Sequence, residues 1–235
     1  MNVFSFQVNP AVLAKLNKPS AGIYSEKRFL LKELSLYNAA GVIPTHSGNF
    51  GLDARLYGFT DYNETQLGLA YARSLGSKLD LGIQFSYYAV RVAGYGNASA
   101  INFGIGTILH LTDKLNAGLY AFNPVGGKFG KQQEEKLAFL YSAGFGYEAS
   151  ENFFVSMEIV KEEDKPVNVN AALQYKFAPQ LLVRVGILTA TSSMFTGIGY
   201  GWKSIRVDAT ANYHPQLGIT PGLLIIFNFN KRKED

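Results

Sequence analysis

The chain has 235 residues, 47% apolar, 14% aromatic and only 17% charged, with 24 Gly, no Cys and a net charge of +4. A soluble domain carries roughly 25% charged residues, so this chain has too few to cover a globule, and without Cys it has no disulfide or thiolate chemistry. No run of 18 apolar residues is present, which excludes a transmembrane helix, and the Lys and Arg residues are scattered with no basic stripe, which excludes a nucleic-acid footprint.

Residues 1–19 differ from all that follows. Met1 leads directly into Asn2-Val3-Phe4-Ser5-Phe6, with no basic region and no apolar stretch of export-signal length. An exported protein of this kind is therefore expected to have lost its signal or to begin further upstream. Asn9-Pro10-Ala11-Val12-Leu13-Ala14-Lys15-Leu16 reads as a short helix, with Asn9 as N-cap and Pro10 at the first helical position, where its missing N–H costs nothing. One or two turns are marginal alone, so this segment must pack against or inside the body that follows.

From Ser20 the chain repeats one pattern, apolar residues alternating with small or polar ones over nine to fourteen positions. About fourteen such runs are expected as strands: Ser20–Arg28, Leu34–Pro44, Gly48–Thr60, Tyr62–Leu75, Leu79–Arg91, Ala98–His110, Lys114–Asn123, Lys136–Ala149, Phe153–Lys161, Val167–Phe177, Leu181–Thr189, Met194–Trp202, Ser204–His214 and Pro221–Asn230. They exceed the mode of roughly 5–6 residues for soluble sheets and match tilted strands that cross a bilayer. Short turns, as at Gly76-Ser77-Lys78 and Ser150-Glu151-Asn152, alternate with longer loops at Val92–Asn97, Pro124–Glu135, Glu162–Pro166, Ala190–Ser193 and Pro215–Thr220. Short turns on one rim and longer loops on the other are the plan of an outer-membrane barrel, and an even strand count places both termini on the short-turn rim. No amphipathic helix is long enough to cover the apolar faces, so an all-β, up-and-down antiparallel transmembrane barrel fits better than a soluble sandwich. Residues 1–19 form its N-terminal segment, 20–230 the barrel and 231–235 a charged, solvated tail.

Phe50, Leu52 and Leu56, Leu67 and Leu69, Ile83 and Phe85, Phe145 and Tyr147, and Ile198, Tyr200 and Trp202 take the outward parity. Asp53, Arg55, Glu64, Asp80, Gln84, Glu158, Arg184, Arg206 and Asp208 take the inward one, in near charge balance, as expected for a polar network in the lumen. The simpler role for any one of these is to fill and stiffen a small barrel, and the sharper role is to line a solute path. Large inward apolar residues such as Tyr88, Phe122, Leu182, Phe195 and Leu224 make the lumen partly greasy, more like a plugged or ligand-holding barrel than a general porin. His46, His110 and His214 do not group as metal ligands, and Ser86, Ser99 and Ser204 do not pair with a His by spacing. Neither an enzyme nor a cofactor is expected.

The hexapeptide Asn9-Pro10-Ala11-Val12-Leu13-Ala14 ahead of about fourteen strands resembles the hatch of the FadL-type outer-membrane transporters of hydrophobic compounds. It looks closer still to the compact PorV-like barrels associated with type IX secretion. The resemblance implies an outer-membrane location in a Gram-negative cell, with Asn9, Pro10 and Ala11 as the hatch motif. It also implies membrane lipid around the wall and, as the leading expectation, an accessory barrel that presents its rim or wall to a secretion or assembly partner. The alternative it implies is a transporter or channel for a small hydrophobic molecule. Two departures stand out: little precedes the triplet, and the chain is shorter than typical members. Gly126-Gly127-Lys128-Phe129-Gly130-Lys131, with its lone Phe, lies in the longest loop and is expected to be a mobile loop, with a docking tip as the sharper alternative.

Overall fold

The computed structural model describes residues 2–124, 128–129, 135–136 and 138–229. Its strands are β1 (Ser20–Lys27), β2 (Ser35–Thr45), β3 (Gly48–Gly58), β4 (Tyr62–Leu75), β5 (Leu79–Val92), β6 (Gly96–His110), β7 (Leu115–Phe122), β8 (Lys128–Phe129), β9 (Glu135–Lys136), β10 (Leu140–Glu148), β11 (Phe153–Glu162), β12 (Asn168–Ala178), β13 (Leu181–Leu188), β14 (Ser193–Trp202), β15 (Ile205–His214) and β16 (Gly218–Asn228). Fourteen of them, all but the small β8–β9 pair, close into one antiparallel barrel. Closure is made by β1 on β16, from Ser20 opposite Asn228 to Glu26 opposite Gly222. β7 pairs with β10 past the β8–β9 pair, every other barrel strand pairs with its neighbours in sequence, and the barrel has no free edge.

The alternation in the sequence becomes the two surfaces of this wall. Phe145, Leu52, Ile198 and Trp202 stand 59%, 55%, 55% and 63% exposed on the outside, whereas the inward Asp80 and Asp208 are wholly buried. A wall exposing this many large apolar side chains has no second layer to bury them and is built for a hydrocarbon surround. Aromatic pairs cluster toward its ends: Phe50 with Tyr71 at 5.0 Å and Tyr175 with Phe177 at 4.8 Å between centroids. The extra residue that lets β12 slip past β13 falls at Phe177, between Lys176 and Ala178.

Two expectations about the rims need correction. The two ends of the barrel, Ser20 and Asn228, lie together on one rim, here called the N-terminal rim. The opposite or far rim keeps longer connections at 28–34 and between β7 and β10, but two of its expected loops are short. Val92 pairs with Gly96 and His214 with Gly218, leaving three-residue turns at 93–95 and 215–217 where longer loops were expected. Gly94 and Gly96, at φ 79° and 111°, supply the left-handed backbone that lets β5 and β6 run on into a hairpin. The strand expected from Lys136 starts instead at Leu140, with Glu135–Lys136 paired to Lys128–Phe129. The loop at 126–131, save the backbone of Lys128 and Phe129, and the charged tail at 231–235 lie outside the described residues.

Candidate functional site: the lumen and its N-terminal segment

Residues 2–16 enter the barrel. Ser5–Gln7 is one 3₁₀ turn and Pro10–Lys15 about two, and Asn9 caps the second helix by accepting from the Ala11 N–H at 3.0 Å. These turns are too short to stand alone, and the wall supplies what they lack. Val3, Phe6 and Leu13, each 1% exposed or less, form one apolar cluster with the inward Ala40, Val42, Ala70, Ala72, Leu224 and Ile226. At about 1.5–3 kcal/mol per fully buried large apolar side chain, this burial dominates the seating of the segment.

Close approach requires the wall to be bare. A Cβ on Gly82 would collide with the backbone of Pro10 and Ala11, and one on its cross-strand partner Gly106 would collide with Asn9 Oδ1. Asn9 Nδ2 donates to the carbonyls of Thr107 (3.2 Å) and Leu119 (3.1 Å) at the β6–β7 seam, so this one side chain caps the turn and pins it to the wall. At the other end, Asn49 Nδ2 donates to the carbonyls of Leu13 (2.5 Å) and Leu16 (2.8 Å), satisfying acceptors the short turn leaves open. Lys15 Nζ lies 3.5 Å from Asp80 Oδ1. Gln7 exchanges two hydrogen bonds with Asn38 and also accepts from Arg55 at 3.3 Å.

The inward polar residues form separate clusters, not one network across the lumen. Asp53 accepts from Gln84 Nε2 at 3.1 Å, beside the Gln7–Asn38–Arg55 group. Asp80 collects Ser74 Oγ (2.6 Å), His110 Nε2 (2.7 Å) and Lys15, and His110 in turn meets Asn116. On the far side, Asp208 takes a bidentate pair from Arg206 (2.7 and 2.6 Å) and a third bond from Arg184. These three charged groups lie over a bare stretch of β14, where a Cβ on Gly199 would strike Asp208. Glu158 meets only Asn170, at 3.3 Å among the described residues. Glu64 is exposed near the far rim, bonded by the Tyr62 hydroxyl, and belongs to no luminal cluster. The physical reason is reach: side chains bridge adjacent strands a few ångströms apart, and the N-terminal segment stands between the walls.

That segment packs on the wall from β16 through β1 to β7, most densely on β4 and β5, and leaves the side from β10 to β15 open. Between it and the opposite wall is a cavity of about 710 Å³, lined by Asn2, Ser5, Val8, Asn9 and Val12 from the segment and by Ser142, Phe154, Glu158, Gln174, Leu182, Arg184 and Arg206 from the wall. It reaches Glu151, Asn152 and Lys176 at the N-terminal rim. Its size falls within the roughly 300–1,000 Å³ of small-molecule sites, and its lining mixes apolar surface with fixed charges. Among the described residues no group of His, Asp and Glu is arranged to hold a metal ion.

No family model matches the sequence, and no curated protein matches it. The fold, in contrast, has clear likenesses. The toluene transporter TodX of Pseudomonas putida superposes with a TM-score of 0.67 at 11% identity, over 96% of this chain and 93% of that one. A FadL homologue of Pseudomonas aeruginosa gives 0.66 at 11%, over 94% and 93%. The KdgM porin gives 0.51 at 12%, over 90% and 99%. The chain therefore shares the closed-barrel fold of these proteins, with part of its lumen filled by its own N-terminal segment.

Proposed function

We propose that this protein is an outer-membrane channel for small, largely apolar solutes, with residues 2–16 as its luminal plug and the far rim facing the cell exterior. One observation carries this reading: the plug packs on the wall from β16 through β1 to β7 and leaves a cavity of about 710 Å³ along the wall from β10 to β15. A barrel that served only as a docking surface would have no use for a half-open lumen. The likeness in fold to a toluene transporter and a FadL homologue supports the same reading. The accessory role in secretion rests on the hexapeptide Asn9–Ala14, and the seating of the plug accounts for that motif: Asn9 pins, Pro10 and Ala11 lie on Gly82, and Leu13 is buried in the wall.

The test is single-channel conductance in planar bilayers of the full chain and of a chain lacking residues 1–16. Deletion is expected to raise conductance several-fold. No steps in either form, with heat-modifiable gel migration showing both barrels folded, would overturn the channel.

A further inference from the structure

The connection between β1 and β2, residues 28–34, folds inward over one side of the far mouth. Arg28 Nε donates to Glu26 Oε1 at 2.9 Å while its guanidinium lies 4.8 Å over the Tyr57 ring. Glu26, Leu36 and Tyr57 form one register row across β1, β2 and β3. The Arg28 side chain therefore spans Leu36, which is only 8% exposed although it faces the mouth. On the other side the Phe29 N–H donates to Thr220 Oγ1 at 3.0 Å, and the Phe29 ring meets His214 edge-on at 6.2 Å. Both partners take the inward parity of β16 and β15, and the His214 ring is itself held, its Nδ1 accepting from the N–H groups of Gln216 and Leu217. The connection thus reaches over five adjacent strands, β15, β16, β1, β2 and β3.

Its backbone adds a second observation. Phe29 and Leu30 are consecutive non-glycine residues at φ 53° and 61°. In this left-handed region an L side chain crowds the following carbonyl. Leu30 and Leu31 are 59% and 51% exposed, so burial does not offset the strain there. What holds the segment down is the short set of contacts made by Arg28 and Phe29. A strained backbone restrained by a few exchangeable polar and aromatic contacts has two accessible arrangements.

We infer that residues 28–34 are a strap that opens and closes this side of the far mouth, seen here closed, with the strain at Phe29–Leu30 favouring release. The inference takes its purpose from the channel reading, but its geometry and its test do not depend on it. The chain has no Cys, so the full-length Leu36→Cys variant in lipid vesicles carries one thiol beneath the strap. Its labelling rate by a charged methanethiosulfonate reagent reads strap opening. Adding Thr220→Val, which removes the acceptor for the Phe29 N–H, is expected to raise the rate about tenfold, the scale of one net hydrogen bond. Adding Leu30→Asn, which places a residue tolerant of the left-handed region at the strained position, is expected to lower it several-fold. Circular dichroism and heat-modifiable migration establish that each variant is folded. Equal rates in the three proteins, or faster labelling with Leu30→Asn, would overturn the strap. Labelling needs no solute passage: these rate changes without conductance sink the channel and keep the strap, and conductance with equal rates does the reverse.

Discussion

Asn9 concentrates two jobs in one amide. Its Oδ1 accepts from the Ala11 N–H and starts the 3₁₀ turn, while its Nδ2 donates to the Thr107 and Leu119 carbonyls and fixes that turn to the wall. Removing the side chain gives up an N-cap, worth about 0.5–2 kcal/mol, and a donor shared by two carbonyls, worth roughly another 0.5–1.5 kcal/mol. Asn9→Ala is therefore expected to loosen the plug without unfolding the barrel, because no ladder hydrogen bond is touched. Limited proteolysis of the folded protein measures this directly: the segment before Ser20 becomes cleavable in Asn9→Ala and stays protected in the parent. Equal protection in both would mean the apolar cluster alone seats the segment. Asp would not substitute for Asn here, since a carboxylate caps the turn but offers the carbonyls no donor.

The plug illustrates how an element with almost no stability of its own is made by its surroundings. Its turns are three and six residues long, below the length at which helices persist in isolation. Its apolar side chains fill one side of the lumen, and its termini are satisfied by wall residues, Asn49 above all. The wall in turn is shaped for it at Gly82, where backbone meets backbone, and at Gly106, where the Asn9 amide lies against the strand. Gly82→Leu is expected to expel the plug and reproduce the conductance of the chain lacking residues 1–16. The new side chain points into the lumen and leaves the β4–β5 and β5–β6 ladders whole. Gly41→Leu is the control, because a Cβ there meets nothing within 4 Å. Unchanged conductance in Gly82→Leu would show that the plug can slide past an obstruction, against the seating described here.

At the scale of the molecule, stability comes from closure and from the medium outside. The wall is one layer thick, so its outward side chains gain nothing unless hydrocarbon surrounds them, and the cost of a charge there depends on depth. Phe145 lies mid-strand on β10, and Trp202 ends β14 at the N-terminal rim beside Lys203. Phe145→Arg is expected to destabilise the folded barrel by about 2–4 kcal/mol and Trp202→Arg by about 1 kcal/mol or less. Reversible urea unfolding in lipid vesicles measures both. Equal losses at the two depths would contradict a membrane centred on the middle of the strands.

The strands, the two faces of each and the start of the plug could all be read from the sequence, since each depends on residues close together in the chain. Alternation records which medium each side of a strand meets, and Asn9-Pro10 is a local start signal for a helical turn. Strand ends at the far rim were less legible: β5 and β6 run past the alternating stretch because backbone pairing at Val92 and Gly96 continues without help from side chains. The tertiary structure alone decided which inward residues meet. Parity makes Asp53, Asp80 and Asp208 look alike, but register and closure send them to separate partners: Gln84 for the first, Lys15 and His110 for the second, Arg184 and Arg206 for the third. The left-handed backbone at Phe29 and Leu30 was equally hidden, because it runs against the preference of both residues and is imposed by contacts with strands that only barrel closure brings alongside.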